Sequence, residues 1–147
     1  MTDVRQLESE DLMGLLTLYE YLHPEEPSLP PQGEASRVWS QLMADPLRIY
    51  MGAFVEGRLV SVCNASVILN LTRGAQPYAV IENVVTEPAH RRQGLARATL
   101  GALIQECWQL DCYKIMLMSA TARDAGHQLY ESLGFDAGSK RAFVLRR

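Results

Sequence analysis

The residues from Val84 to Arg97, VVTEPAHRRQGLAR, constrain this chain most tightly: an apolar strand ends, a basic glycine turn follows and a helix begins. On the strand side, Ala79 to Thr86 is apolar and β-branched with Glu82 and Asn83 set inside it. Pro88 halts the pairing because it has no N–H to give. On the helix side, Ala96, Leu100, Leu103, Ile104, Cys107 and Trp108 recur at helical spacing from a start near Gly94, which predicts a helix with one apolar stripe. A helix start leaves backbone N–H groups without partners and gathers roughly half a positive charge there. Gly94 has no side chain to hold an anion off those donors, Ala96 is nearly as small, and Arg91, Arg92 and Arg97 add positive charge. The pattern predicts a seat for a phosphate or pyrophosphate; a solvated basic turn capping an ordinary helix is the plainer alternative.

The rest of the chain limits what that seat can belong to. With 147 residues, 48% of them hydrophobic, the length suits one domain over 1–147 with a sizeable core. A net charge of −3 argues against a nucleic-acid partner, so any anion site must be local. Cys63, Cys107 and Cys112 lack C-x-x-C spacing, and His23, His90 and His127 share no ligand spacing, so neither a disulfide framework nor a metal site is expected. The N-terminus shows no cationic-then-apolar leader and no run is long enough to span a membrane, which reads as a reduced, cytoplasmic chain without a membrane partner.

Taken in order, Val4 to Leu7 reads as a strand and Ser9 as the N-cap of a helix bearing Leu12, Leu15, Leu16 and Tyr19, stopped at His23-Pro24. Pro24, Pro27, Pro30 and Pro31 make the stretch to Gly33 a loop, and a second helix runs from about Ala35 to Met43. Leu47 to Val55 and Leu59 to Leu69 read as strands joined through Glu56-Gly57-Arg58. A polar, turn-rich piece from Asn70 to Pro77 leads into the strand Tyr78 to Thr86. Tyr113 to Ser119 reads as a buried strand, Ala122 to Leu133 as a helix closed by Gly134, and Phe143 to Leu145 as a final strand. Strand alternation puts Glu82 and Val84 on one face.

Arg91-Arg92-Gln93-Gly94-Leu95-Ala96 resembles the Q/R-x-x-G-x-G/A acetyl-coenzyme A signature of the GNAT superfamily of acyltransferases. Leu129-Tyr130-Glu131-Ser132-Leu133-Gly134-Phe135 is similar to that superfamily's closing L-Y-x-x-x-G-F segment, and the order of the two matches as well. The resemblance implies an α/β (α+β) fold: a mixed, mostly antiparallel sheet of about six or seven strands with helices on both faces. It also implies that the parallel pair Tyr78 to Thr86 and Tyr113 to Ser119 splays apart around coenzyme A.

The activity so implied is N-acetyl transfer from acetyl-CoA, as co-substrate and without a metal, to a primary amine of a small molecule by direct attack in a ternary complex. An acyl-CoA-binding sensor without turnover, or an acetyltransferase acting on protein N-termini or lysines, are the alternatives. The backbone of Val84, Val85 and Thr86 would pair with the pantetheine arm as an added strand would. The N–H groups from Arg92 through Gln93, Gly94, Leu95 and Ala96 to Arg97 would take the pyrophosphate. Many members have an asparagine seven residues before the tyrosine; this chain has Arg123 there, and Ser119 or Asp124 could substitute.

Acetyl transfer sets two proton problems. An alkylamine of pKa roughly 10.4 is protonated at neutral pH, and freeing its lone pair costs about 4–5 kcal/mol. A departing thiolate, with a thiol pKa of roughly 8.5, needs a proton or stabilisation. By the family's closing motif Tyr130 is the candidate acid, a packing tyrosine being the alternative. Glu82, a carboxylate in an apolar strand, is the candidate base, directly or through water, or else an ion-pair partner for an arginine such as Arg73. Asn83, Arg73 and Tyr78 are candidate acceptor contacts. Asp111 to Ile115 and Ile81 to Val85 look similar to the glucosamine-6-phosphate branch of the superfamily, and in several members a dimer partner lines the acceptor site, so a homodimer is an expected partner arrangement.

Overall fold

The computed structural model describes residues 1–25 and 29–147; Pro27 of the proline-rich stretch lies outside the described residues. A five-stranded sheet runs in the order β1 (Thr2–Gln6), β2 (Arg48–Val55), β3 (Arg58–Ile68), β4 (Tyr78–Thr86) and β5 (Ile115–Leu117). The first four strands are antiparallel to their neighbours and β5 is parallel to β4. The parallel step requires a crossover, which α4 (Leu95–Gln109) supplies. Helices α1 (Leu12–Tyr19) and α2 (Gln32–Ala44) follow β1, a single short turn α3 (Thr72–Ala75) precedes β4, and α5 (Asp124–Ser132) follows β5.

Two clusters make the sheet a filled sandwich. Ile49, Met51, Cys63, Ala65, Val67, Ala79 and Ile81 point to one face and pack on Leu100, Leu103 and Cys107 of α4, with Leu129, Tyr130 and Leu133 of α5 joining them. Phe54, Leu59, Val62 and Val85 point to the other and pack on Leu15 and Leu18 of α1 and Trp39 of α2. Helices therefore cover both faces, as the apolar character of the inner strands requires. The β2–β3 hairpin turns on Glu56 and Gly57, both at positive φ (50° and 77°), the backbone a tight two-residue turn demands.

Several expectations need correction. The sheet has five strands rather than about six or seven. Phe143 to Leu145 forms no strand and is exposed, because three apolar residues between Lys140-Arg141 and Arg146-Arg147 are too short a run to offset the charges beside them. The strand expected over Tyr113 to Ser119 is paired only at Ile115–Leu117. Ser9 does not cap the first helix: it opens a 3-10 turn, Ser9–Asp11, closed by reciprocal bonds between Glu8 and Asp11, and Asp11 is the N-cap of α1 without a side-chain cap bond. Asp11 carries more than the cap: it accepts the Glu8 N–H at 2.7 Å and two guanidinium bonds from Arg5 at 2.8 and 3.1 Å. On α4 the buried stripe is Leu95, Thr99, Leu100, Leu103 and Cys107, while Trp108, one step of about 100° beyond Cys107, is 45% exposed. Among the described residues no helix is long and apolar enough to cross a membrane.

The stripe sets a stability contrast. Leu103→Ala empties a fully buried site and should cost about 2–5 kcal/mol in chemical denaturation, whereas Trp108→Ala should cost less than about 1 kcal/mol. Equal losses would mean that the helix is rotated relative to this packing.

Candidate active site

The site is made where β4 stops behaving as a regular strand. Val62 pairs with Val85 and Asn64 with Glu82, so Asn83 and Val84 together face the single residue Cys63. This is a β-bulge on β4, and Asn83 sits in it at φ 54°, in the left-handed region that asparagine tolerates better than most residues. The Asn83 amide donates to Asn64 Oδ1 at 3.1 Å and pins the distortion to β3.

Two consequences follow from the extra residue. Side-chain alternation shifts by one, so Glu82 lies with Val80 on the α1–α2 side, Val84 packs toward α4 and Val85 returns to the α1–α2 side. The expectation that Glu82 and Val84 share a face is thereby overturned. Pairing of β4 with β5 covers only Ala79–Ile81, so Asn83 to Thr86 run on without a strand neighbour on that side. The splay of the parallel pair is thus present, and it starts at the bulge.

Beyond that open edge lies the start of α4. Gly94 is its N-cap at φ 78°, with no side-chain cap, and Arg92 is also left-handed at φ 60°. The Leu95, Ala96 and Arg97 N–H groups have no hydrogen-bond partner among the described residues, the first helical bond running from Ala98 N–H to Gly94 O at 2.9 Å. A Cβ on Gly94 would meet nothing within 4 Å, so backbone conformation and open space, not crowding, make glycine the fitting residue. The arginines are not equivalent. Arg91 donates to Thr86 O at 3.2 Å and Arg97 donates to Ser132 Oγ at 2.6 Å, which ties the turn to β4 and to α5. Arg92 makes no such bond among the described residues. Gln93 donates back to Ala89 O at 3.4 Å.

Tyr130 of α5 is partly buried against the α4-side core, its ring edge 3.5 Å from where a Gly126 Cβ would be. Its ring meets Phe135 edge-on at 6.2 Å, and burial raises its pKa above the ordinary phenol value while the Arg123 charge pulls the other way. The phenol therefore keeps its proton through neutral pH. Arg123, standing at the position where many members carry asparagine, donates to Leu22 O at 3.4 Å and so links α5 to the end of α1. Ser119 lies beside the first turn of α5, its Oγ 3.8 Å from where a Gly126 Cβ would be.

On the α1–α2 side a cavity of about 290 Å³ opens next to the bulge, lined by Leu42, Arg48, Tyr50, Asn64, Ser66, Val80, Glu82 and Asn83. Arg48 donates to Ser66 Oγ and stands 3.5 Å from Asp45. Glu82 forms no ion pair among the described residues. Glu82 and Asn83 are thus brought together, whereas Arg73 and Tyr78 lie apart from this lining, around Tyr113 and Lys114: Arg73 stacks over the Tyr113 ring at 5.6 Å and Tyr78 meets Tyr113 edge-on at 6.3 Å. Arg48, Tyr50, Asn64 and Ser66 escaped the sequence reading; the one signal for them was Asn64 and Ser66 within an apolar strand.

A helix start with free amides, an opened parallel strand pair and a polar cavity across the bulge thus lie around one point of β4, and the class of protein follows from the comparison with known families. Residues 15–135 match the acetyltransferase (GNAT) family, and the chain belongs to it. A solved putative acetyltransferase from Agrobacterium tumefaciens str. C58 is 38% identical, covers 99% of both chains and superposes with a TM-score of 0.91. Glucosamine 6-phosphate N-acetyltransferase of Trypanosoma brucei brucei is 32% identical over 85 residues, 58% of this chain and 56% of that protein. Aminoglycoside N(6')-acetyltransferase type 1 of Acinetobacter haemolyticus is 25% identical over 111 residues, 73% of this chain and 75% of that protein. The match thus spans little more than half the length of the first of these curated relatives.

The bulge predicts a graded response at Asn83. Asn83→Val forces a β-branched residue into positive φ and removes the bond to Asn64, and should cost about 2 kcal/mol by urea denaturation. Asn83→Gly, relieved of the φ penalty, should cost at least about 1 kcal/mol less. A valine variant as stable as the glycine variant would contradict the left-handed conformation.

Proposed function

We propose that this protein moves the acetyl group of acetyl-CoA onto a primary amine of a small, hydroxyl-bearing molecule of the amino-sugar class. One observation carries the reading: the bulge at Asn83 opens β4 between a helix start with free amides and a polar cavity, so that donor and acceptor can meet at one point of one strand. Both curated relatives bear names that specify aminated sugars, glucosamine 6-phosphate in one case and aminoglycosides in the other. The cavity offers the matching chemistry, with carboxylate, guanidinium, amide and hydroxyl groups around Val80 and Leu42.

In this reading the amides of Leu95, Ala96 and Arg97, with Arg92, hold the pyrophosphate, and the open edge of β4 along Val84, Val85 and Thr86, on the side away from β3, aligns the pantetheine arm. Gln93 and Gly94 shape the turn, and Ser119 stands by the arm's reactive end. The amine, cleared of its extra proton by Glu82 directly or through a water, attacks the thioester carbonyl; the C–N bond forms as the C–S bond breaks, and the second proton on nitrogen passes to solvent, leaving the neutral amide. Proton transfer from an ordinary phenol (pKa roughly 10) to an ordinary thiolate (roughly 8.5) runs uphill by about 2 kcal/mol. Burial adds to that cost for Tyr130 and the Arg123 charge lessens it, so the phenol acts first as a hydrogen-bond donor to sulfur and releases its proton as the thiolate departs. Solvent then reprotonates the phenolate.

Thiol release from acetyl-CoA over a panel of primary amines tests the proposal. Tyr130→Phe should lower kcat by about 100-fold while leaving the acetyl-CoA Kd within about twofold. The deficit of Glu82→Gln should shrink as pH rises through the pKa of the acceptor amine in use, above which free amine no longer needs a base. An unchanged kcat in the phenylalanine variant, or a glutamine deficit independent of pH, would reject these roles. No thiol release with any amine would reject the transfer itself.

A further inference from the structure

On charge alone Glu87 is out of place. It stands seven residues before Gly94, in the turn that leads to the free amides of α4, among Arg91, Arg92 and Arg97. A carboxylate near a seat for an anion repels the guest. Glutamine would fill the same space without that charge.

The contacts of the carboxylate show what it does there. Glu87 Oε1 accepts from Arg58 Nη1 and Oε2 from Arg58 Nη2 at 3.0 Å, a two-pronged pair with the first residue of β3. Oε2 also meets His90 Nδ1 at 2.6 Å; a carboxylate can only accept, so that ring nitrogen carries the proton. The Glu87 and His90 side chains are 14% and 19% exposed, so the second contact is largely shielded from water. The Arg58 guanidinium, aided by His90 against the effect of burial, holds the Glu87 carboxyl below its ordinary range and keeps it ionised at neutral pH. The Glu87 N–H donates to Val60 O at 2.8 Å, which extends the β3–β4 ladder. One residue thus joins the sheet, the β2–β3 turn and the 3-10 turn Pro88–His90.

The strained part of the anion turn hangs from this junction. Backbone bonds hold the 3-10 turn unevenly, His90 N–H to Glu87 O at 2.9 Å and Arg91 N–H to Pro88 O at 3.4 Å. Two residues beyond His90, Arg92 is left-handed at φ 60°, a conformation an arginine keeps only where its surroundings fix it. The fixing bonds come from the residues around it: Glu87 to His90, Arg91 to Thr86 O and Gln93 to Ala89 O.

We propose that Glu87 is a positioning residue for acyl-carrier binding: through Arg58 and His90 it sets the turn so that Arg92 and the Leu95, Ala96 and Arg97 amides meet the pyrophosphate in one geometry. The proposal rests on the reading of that turn as the pyrophosphate seat, and adds that a carboxylate that never touches the carrier shapes it. Two effects of opposite sign compete. As a charge, Glu87 weakens anion binding; as a clamp, it strengthens binding by removing freedom the turn would otherwise lose when the carrier arrives. Arg58 offsets the charge, so the clamp prevails.

Glu87→Gln separates the two effects, because glutamine keeps the size, drops the charge and turns one acceptor toward Arg58 or His90 into a donor. By calorimetry the acetyl-CoA Kd should rise about tenfold, the worth of one charge-assisted hydrogen bond, with kcat at saturating acetyl-CoA within about twofold of the parent protein. An unchanged or lower Kd would overturn the proposal. So would a fall in kcat as large as the rise in Kd together with a lower melting temperature, which would make the residue structural. His90 supplies a second reading that does not depend on the glutamine variant folding. His90→Asn, whose amide N–H can stand in for Nδ1–H, should keep the Kd within about twofold, whereas His90→Ala should raise it about fivefold. Equal Kd values for the two histidine variants would overturn the clamp. Failure of the underlying reading looks different: the parent protein then gives no binding heat with acetyl-CoA.

Discussion

One extra residue in one strand organises this protein. A regular β4 would continue to pair with β5 and would present Glu82 and Val84 on the same face. The left-handed Asn83 bends the strand instead, ends the parallel ladder after Ile81 and sends Glu82 and Val84 to opposite faces. A bulge costs sheet hydrogen bonds, and it persists because Asn64 holds Asn83 and because Ile81 and Val85 are buried in different clusters on either side of it. The opened edge is therefore enforced by packing on both faces of the sheet.

Around that edge the chain collects two kinds of unsatisfied group, each for a separate structural reason. The amides at the start of α4 are free because every helix start leaves them so and no side chain caps this one. The strand edge is free because β5 is paired over only three positions. Cross-links keep these groups in register: Arg97 reaches Ser132 at the end of α5, and Arg123 at the start of α5 reaches Leu22 beyond α1. The helix that bears Tyr130 is thus tied at one end to the anion turn and at the other to the acceptor-side helix.

Much of this was legible in the sequence. The strand from Tyr78 to Thr86 agrees with β4 residue for residue, Gly94 marks the helix start, and the apolar periodicities fix which strands are buried. The bulge was not legible, since period-two alternation carries no sign of an inserted residue, and with it went the facing of Glu82. Arg73 and Tyr78 looked available because they are polar or amphipathic residues near β4, yet their own contacts with Tyr113 keep them apart from the cavity lining. Arg48, Tyr50 and Ser66 could not be found from spacing, because they come from β2 and β3 and meet only through antiparallel pairing.

The central claim is that the amides at the start of α4 receive the pyrophosphate of an acyl carrier lying along the opened edge of β4. Residue-resolved amide hydrogen exchange with and without acetyl-CoA tests it directly. Exchange should slow at Leu95, Ala96 and Arg97 and at the amides between Val84 and Thr86 that face the open edge, with β1 and β2 unaffected. Saturating acetyl-CoA that leaves those amides exchanging at their free rates in the folded protein would contradict the account.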